Sequence, residues 1–149
     1  MVRAEQIAEE FPVVTADSSA LDAVRLMAER RLAGLVVTDE HGCPTTILPA
    51  SEVVRLLVPG YVRDDPALAG VLSESMADHI ADKLNGKTVA AVLPKGRHDM
   101  PTVKADDTIV EVAAVMAHER APLVAVLAGK NLIGVITASR LLEVALQSR

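Results

Sequence analysis

Aromatic rings are nearly missing from this chain: Phe11 and Tyr61 are the only two, and tryptophan is absent. A ring-shaped ligand would therefore be gripped by aliphatic side chains and backbone rather than by stacking. Cys43 is the only cysteine, which excludes an intramolecular disulfide and any Cys-x-x-Cys metal or redox pair. Basic residues do not dominate either, with 15 Lys and Arg against 20 Asp and Glu and a formal charge of −5. That balance argues against a nucleic-acid binder, which needs a concentrated cationic surface to neutralise phosphates. No apolar run approaches the ~18 residues of a membrane span, so no membrane insertion is expected. No charged–apolar–small signal opens the chain, and the expectation is a soluble, cytoplasmic protein.

What the chain does have is a second copy of itself. Pro12-Val13-Val14-Thr15-Ala16-Asp17-Ser18-Ser19-Ala20-Leu21 returns as Pro101-Thr102-Val103-Lys104-Ala105-Asp106-Asp107-Thr108-Ile109-Val110. Met27-Ala28 returns as Met116-Ala117 at the same offset, and Ala50-Ser51 returns as Ala138-Ser139 one residue short of it. Such repetition marks architecture, because one copy rarely buries its apolar face alone. Half of the 149 residues are apolar, enough for one compact domain or two small lobes sharing a core.

Each copy reads as strand, helix, strand, turn, strand, helix. In copy one Phe11 to Thr15 is extended. Ser19-Ala20-Leu21-Asp22 has the Ser-x-x-acid form of a helix start, followed by an apolar stripe at Leu21, Val24, Met27 and Ala28. Leu35 to Val37 and Thr45 to Leu48 flank a turn at Asp39 to Gly42, and a helix from Ser51 through Leu57 stops at Pro59-Gly60. Copy two gives Thr108 to Glu111 as a capping box, then Val112, Val115 and Met116. Strands at Leu123 to Leu127 and Leu132 to Ile136 follow, with a helix from Ser139 through Leu146. Between the copies, Asp65-Pro66 opens a helix carrying Leu68, Val71, Leu72, Met76, Ile80 and Leu84, with Asp78 and Asp82 on its polar side and Asn85-Gly86 at its end. It reads as a connecting helix, with partner docking as the alternative. Thr88 to Leu93 is a short apolar run. The expected domains are copy one at 1–60, an insert at 61–87 and copy two at 88–149.

Glu29-Arg30-Arg31-Leu32-Ala33-Gly34-Leu35-Val36-Val37-Thr38-Asp39 resembles the helix-to-strand passage of a cystathionine-β-synthase-type (CBS) domain. Leu132-Ile133-Gly134-Val135-Ile136-Thr137-Ala138-Ser139-Arg140-Leu141-Leu142 resembles its closing strand and helix. The resemblance covers nearly all of the chain except about 61–86, and it implies a tandem CBS pair, or Bateman module. The implied fold is α/β (α+β), two pseudo-symmetric β-α-β-β-α repeats with their sheets packed together. It further implies clefts between the repeats that bind AMP, ATP or S-adenosylmethionine, a homodimer of modules, and regulation rather than catalysis.

Family nucleotide sites place a Thr or Ser before the last helix and an Asp three residues later. Carboxylate oxygens accept from ribose hydroxyls, and a helix start offers free N–H groups. Copy two keeps Thr137, followed by Ser139, but has Arg140 at the Asp position. A guanidinium only donates, so Arg140 either pairs with a ligand phosphate or is a solvated or salt-bridged surface residue. Copy one has Glu52 at the Asp position and Pro49 where the hydroxyl belongs. By position the base pocket is Pro12, Val13, Val14, Leu32 and Ala33 in copy one. In copy two it is Pro101, Thr102, Val103, Ala121 and Pro122. Arg97, with Lys95 and His98, lies in a loop absent from copy one and is a candidate for a ligand phosphate. Arg30, Arg31 and Arg120 end the first helix of each copy, where cations complement the helix dipole.

The histidines (His41, His79, His98 and His118) lack metal-ligand spacing, and no Gly-x-Ser-x-Gly elbow or phosphate loop is present. With no catalytic motif to set against it, the resemblance implies a non-enzymatic regulatory pair that senses an adenosine-type ligand and signals to a separate, unknown effector protein. The alternative is a degenerate pair serving as a dimerising or docking scaffold.

Overall fold

Residues 1–58, 60–67, 76–94 and 99–147 are described by the computed structural model. Each repeat folds around a three-stranded sheet. In the first, β1 (Val13–Thr15), β2 (Gly34–Thr38) and β3 (Pro44–Pro49) lie in the order β1-β2-β3. Between β1 and β2 runs α2 (Ala20–Arg30), capped by the Ser19 hydroxyl, which accepts from the Asp22 N–H at 3.3 Å. Its fully buried stripe is Ala20, Ala23 and Met27, with Leu21 and Val24 packed at the margin. The α3 helix (Ala50–Leu57) follows β3 directly.

The second repeat copies this plan in β4 (Thr102–Lys104), α7 (Ile109–Glu119), β5 (Leu123–Ala128), β6 (Asn131–Thr137) and α8 (Ala138–Gln147). β4 runs parallel to β5 with Thr102 opposite Ala125, and β6 returns antiparallel with Thr137 opposite Leu123. The Thr108–Glu111 capping box forms as expected. The mixed α+β architecture of two β-α-β-β-α repeats is thus the one the sequence leads to.

Two short helices were not anticipated. α1 (Ala4–Ile7) opens copy one ahead of β1, and α6 (Val89–Val92) opens copy two ahead of β4, inside the run read only as apolar. Each packs on the other copy. The Ala4 N–H donates to the Asp107 carbonyl at 2.8 Å and the Glu5 N–H to Ala105 at 2.9 Å, while Ala4 and Ile7 join the core of Val112, Met116, Val124 and Ile136. In the same way the Val89 N–H donates to Ser18 at 2.9 Å and Ala90 to Ala16 at 2.8 Å, and Val89 and Val92 join the core of Met27, Leu35 and Leu48.

The chain consequently forms two compact units that interleave in sequence. One is Met1–Pro12, Thr38–Thr46 and His98–Arg149; the other is Val13–Val37 and Ile47–Arg97. In the first unit the tip of the β2–β3 hairpin is held by the Met100 N–H on the Thr45 carbonyl at 3.1 Å and by Cys43 Sγ on the Lys130 carbonyl at 3.5 Å.

α3 ends at Leu57, as the Pro59-Gly60 stop leads one to expect, and a further helix not read from the sequence, α4 (Gly60–Asp64), begins at Gly60 and leads into the insert. Asp65 then accepts from the Ala67 N–H at 3.2 Å. α5 (Met76–Leu84) packs against α2 and α3 through Ile80 and Leu84, leaving Asp78 and Asp82 exposed, and Gly86 (φ 75°) lies just beyond its end. Leu68, Val71 and Leu72, expected on this helix, lie outside the described residues.

Candidate functional site

In copy two, the sheet geometry gathers the predicted residues at one end. Thr102 starts β4, Leu123 starts β5 and Thr137 ends β6, so all three lie near the same edge. The Ala138 N–H donates to the Pro122 carbonyl at 2.9 Å, and the Ala125 N–H donates to Pro101 at 3.1 Å. These bonds hold Pro101, Thr102, Ala121 and Pro122 beside the start of α8, with Val103 alone buried in the core.

The polar groups there are already engaged by the chain itself. Thr137 Oγ1 accepts from the Arg140 N–H at 3.1 Å, capping α8, and lies 3.2 Å from the Ser139 hydroxyl. Arg140 Nη1 donates to Glu143 Oε1 at 2.6 Å, and its Nε donates to the Ile7 carbonyl at 3.4 Å. Arg140 is therefore neutralised within the fold and tied to α1. No periodicity could have shown this, because the Ile7 carbonyl comes from the opposite end of the chain.

Copy one has the same backbone frame and different side-chain chemistry. The Ala50 N–H donates to the Ala33 carbonyl at 2.8 Å, the counterpart of Ala138 on Pro122. Pro49 stands at the N-cap of α3 and supplies no side-chain bond. Glu52, in the first turn, is half-buried and makes no hydrogen bond or ion pair among the described residues. The same unit contains Val13, exposed at 45%, half-buried Val14 and Leu32, and exposed Ala33. Pro12 falls in the other unit. Arg97, Lys95 and His98 lie outside the described residues.

Sequence reasoning missed two concavities. One, of about 510 Å³, is lined by Glu5, Lys104, Asp106, Asp107 and Gly129 at the far end of β4. The other, of about 500 Å³, is a groove along α3 and α4. Neither has a local sequence signal, since each depends on elements meeting in space. No group of His, Cys, Asp and Glu among the described residues is arranged to hold a metal ion.

This twofold frame, with a strand running straight into a helix start in each copy, is matched by family comparison. The chain matches the CBS domain twice, over residues 4–59 and 89–147. It belongs to the CBS-domain family. As a tandem CBS pair it resembles a CBS domain-containing protein of unknown function from Kribbella flavida. The two share 58% identity over 98% of this chain and 99% of that one, with a TM-score of 0.90. CBSX2 from Arabidopsis thaliana shares the fold at 18% identity, covering 98% of this chain and 95% of that one with a TM-score of 0.72. A CBSX2 structure in complex with AMP matches at 16% identity over 99% and 98% of the two chains, with a TM-score of 0.69. No curated protein matches this chain. No helix among the described residues is long and apolar enough to cross a membrane.

Proposed function

We propose that this CBS pair is a non-catalytic regulatory module that binds an adenosine-type ligand (AMP, ATP or S-adenosylmethionine) at the copy-one helix start. Bound ligand is relayed to a separate partner protein. The observation carrying this reading is Glu52: a half-buried carboxylate in the first turn of α3, without a partner among the described residues, beside an N-cap that uses no side chain. Ribose hydroxyls supply the missing donors, and Val13, Val14 and Leu32 supply apolar contact for a base. Copy two is the weaker site, because Arg140 is held by Glu143 and Ile7 and Thr137 caps its own helix. The AMP bound by a neighbour of the same fold supports the ligand class. A homodimer and a reducing, cytoplasmic setting are part of the proposal, the latter supported by the lone Cys43.

A thermal-shift screen against AMP, ADP, ATP, S-adenosylmethionine, NAD and guanosine nucleotides tests it. Ligand at a hundredfold excess over Kd stabilises by about 2.7 kcal/mol. Glu52→Ala is expected to weaken adenosine binding about ten- to a hundredfold, the value of hydrogen bonds to a charged group. Thr137→Ala should lower stability by about 1 kcal/mol through its lost cap and leave the ligand-induced shift in place. Absence of any shift favours the second reading, a scaffold. That reading draws on the internal engagement of Arg140 and the exposed Leu142 and Leu146 of α8.

A further inference from the structure

The groove along α3 and α4 joins the last helix of the first repeat to the segment after it, and the nucleotide reading does not use it. Its floor is Val54, Val58 and Val62, and its rim carries Arg55 and Arg63. Val62 is buried at 5% exposure while Val54 remains 59% exposed, so the apolar surface continues from the core to solvent. Arg63 Nη1 donates to the Arg55 carbonyl at 3.3 Å, which brings one rim guanidinium back onto α3. Neither Arg55 nor Arg63 meets a carboxylate among the described residues, in a chain whose net charge is −5. Two unpaired guanidiniums beside a valine floor present the complement of an apolar stripe flanked by carboxylates.

We propose that this groove receives an acidic, amphipathic segment of a partner protein, apolar side chains on the valines and carboxylates on Arg55 and Arg63. The helix-in-groove mode fits two adjoining helices, and Arg is the side chain best suited to carboxylate capture at an interface. A second copy of this chain fits less well. Beyond the groove itself, the described helices that expose large apolar side chains are α8, with Leu142 and Leu146, and α7, with Val110. The one carboxylate on α8, Glu143, is already 2.6 Å from Arg140, and Glu111 beside Val110 is held in the capping box with Thr108. α5 has the acids Asp78 and Asp82, but Ile80 and Leu84 on it belong to the core. The docking surface stands without the nucleotide site. It shares α3 with Glu52, so one helix would carry both signals.

The test is selection of a random displayed-peptide library on the intact protein, with counter-selection on the double variant Arg55→Glu/Arg63→Glu. Both side chains are exposed, and circular dichroism verifies the fold of the variant. Enriched peptides are expected to combine large apolar residues with Asp or Glu. Binding by anisotropy should fall at least about tenfold in the double variant and in Val54→Asp. Enrichment without acidic bias, or binding unchanged in these variants, overturns the proposal. So does a dimer, measured by light scattering, that the same substitutions dissociate, because the occupant is then a second copy. Nucleotide-induced stabilisation is read in parallel: its absence removes the Glu52 site and leaves the groove result to stand by itself.

Discussion

Arg31 and Arg120 have φ angles of 54° and 52°, the left-handed region in which a Cβ crowds the backbone. They close α2 and α7 at matching positions, each followed by a residue whose N–H bonds back to a methionine carbonyl, Leu32 on Met27 at 2.9 Å and Ala121 on Met116 at 3.0 Å. Glycine adopts this conformation without the penalty. Arg31→Gly and Arg120→Gly are each expected to stabilise the protein by about 0.5–1 kcal/mol, read as a higher urea midpoint. Sequence placed a helix end at both residues, but an arginine gives no hint of the hand it adopts. Asp39 offers a pH test. Donation from the Cys43 N–H at 2.9 Å, opposed by some desolvation and reinforced by the His41 N–H and charge, holds its carboxyl below the ordinary 3.8. A carboxyl lowered by folding stabilises above its unfolded value, and that contribution is lost as pH falls through the folded one. Asn at this position retains the acceptor and does not titrate. The advantage of the native protein over Asp39→Asn should therefore be present near neutrality and shrink below about pH 3.8, followed by urea unfolding at stepped pH.

At the scale of elements, the exchanged helices decide what a substitution disrupts. Ile7 belongs to copy one in sequence but is 4% exposed in the core of copy two. Ile7→Ala is expected to cost about 2–4 kcal/mol. Hydrogen exchange should show the lost protection in β4, β5 and β6 before β1 and β2. A perturbation confined to β1 and β2 would contradict the packing described for α1. The longer elements were legible because period and capping agree over enough residues, as in Thr108 to Glu119. The α1 and α6 helices were not, because a single turn shows no period and its partners are remote. Glycine marks the same contact: a Cβ on Gly134 would lie 2.8 Å from the Glu9 carbonyl, where Glu9 and Val135 exchange backbone bonds at 2.9 Å. The residue reads in sequence as a plain strand glycine.

For the molecule as a whole, repetition carried the architecture, while the chemistry of the candidate site needed coordinates. Thr137 and Glu52 were both visible as helix-start residues, but only the fold separates them. Thr137 is occupied by the Arg140 N–H, whereas Glu52 has no partner among the described residues. Arg140 shows the limit plainly, since its two partners lie one turn ahead and at the far end of the chain. The exchanged helices also set an order of manufacture. The ribosome makes Ala4 and Ile7 well before the β4–β6 sheet and the Val144 they pack against. At roughly 5–20 residues per second, that leaves the α1 turn without its seat for on the order of ten seconds. Val89 and Val92 emerge after Met27, Leu35 and Leu48 have been made, so the core they complete can close during synthesis. Of the two exchanged helices, α1 is thus the one that waits for shelter.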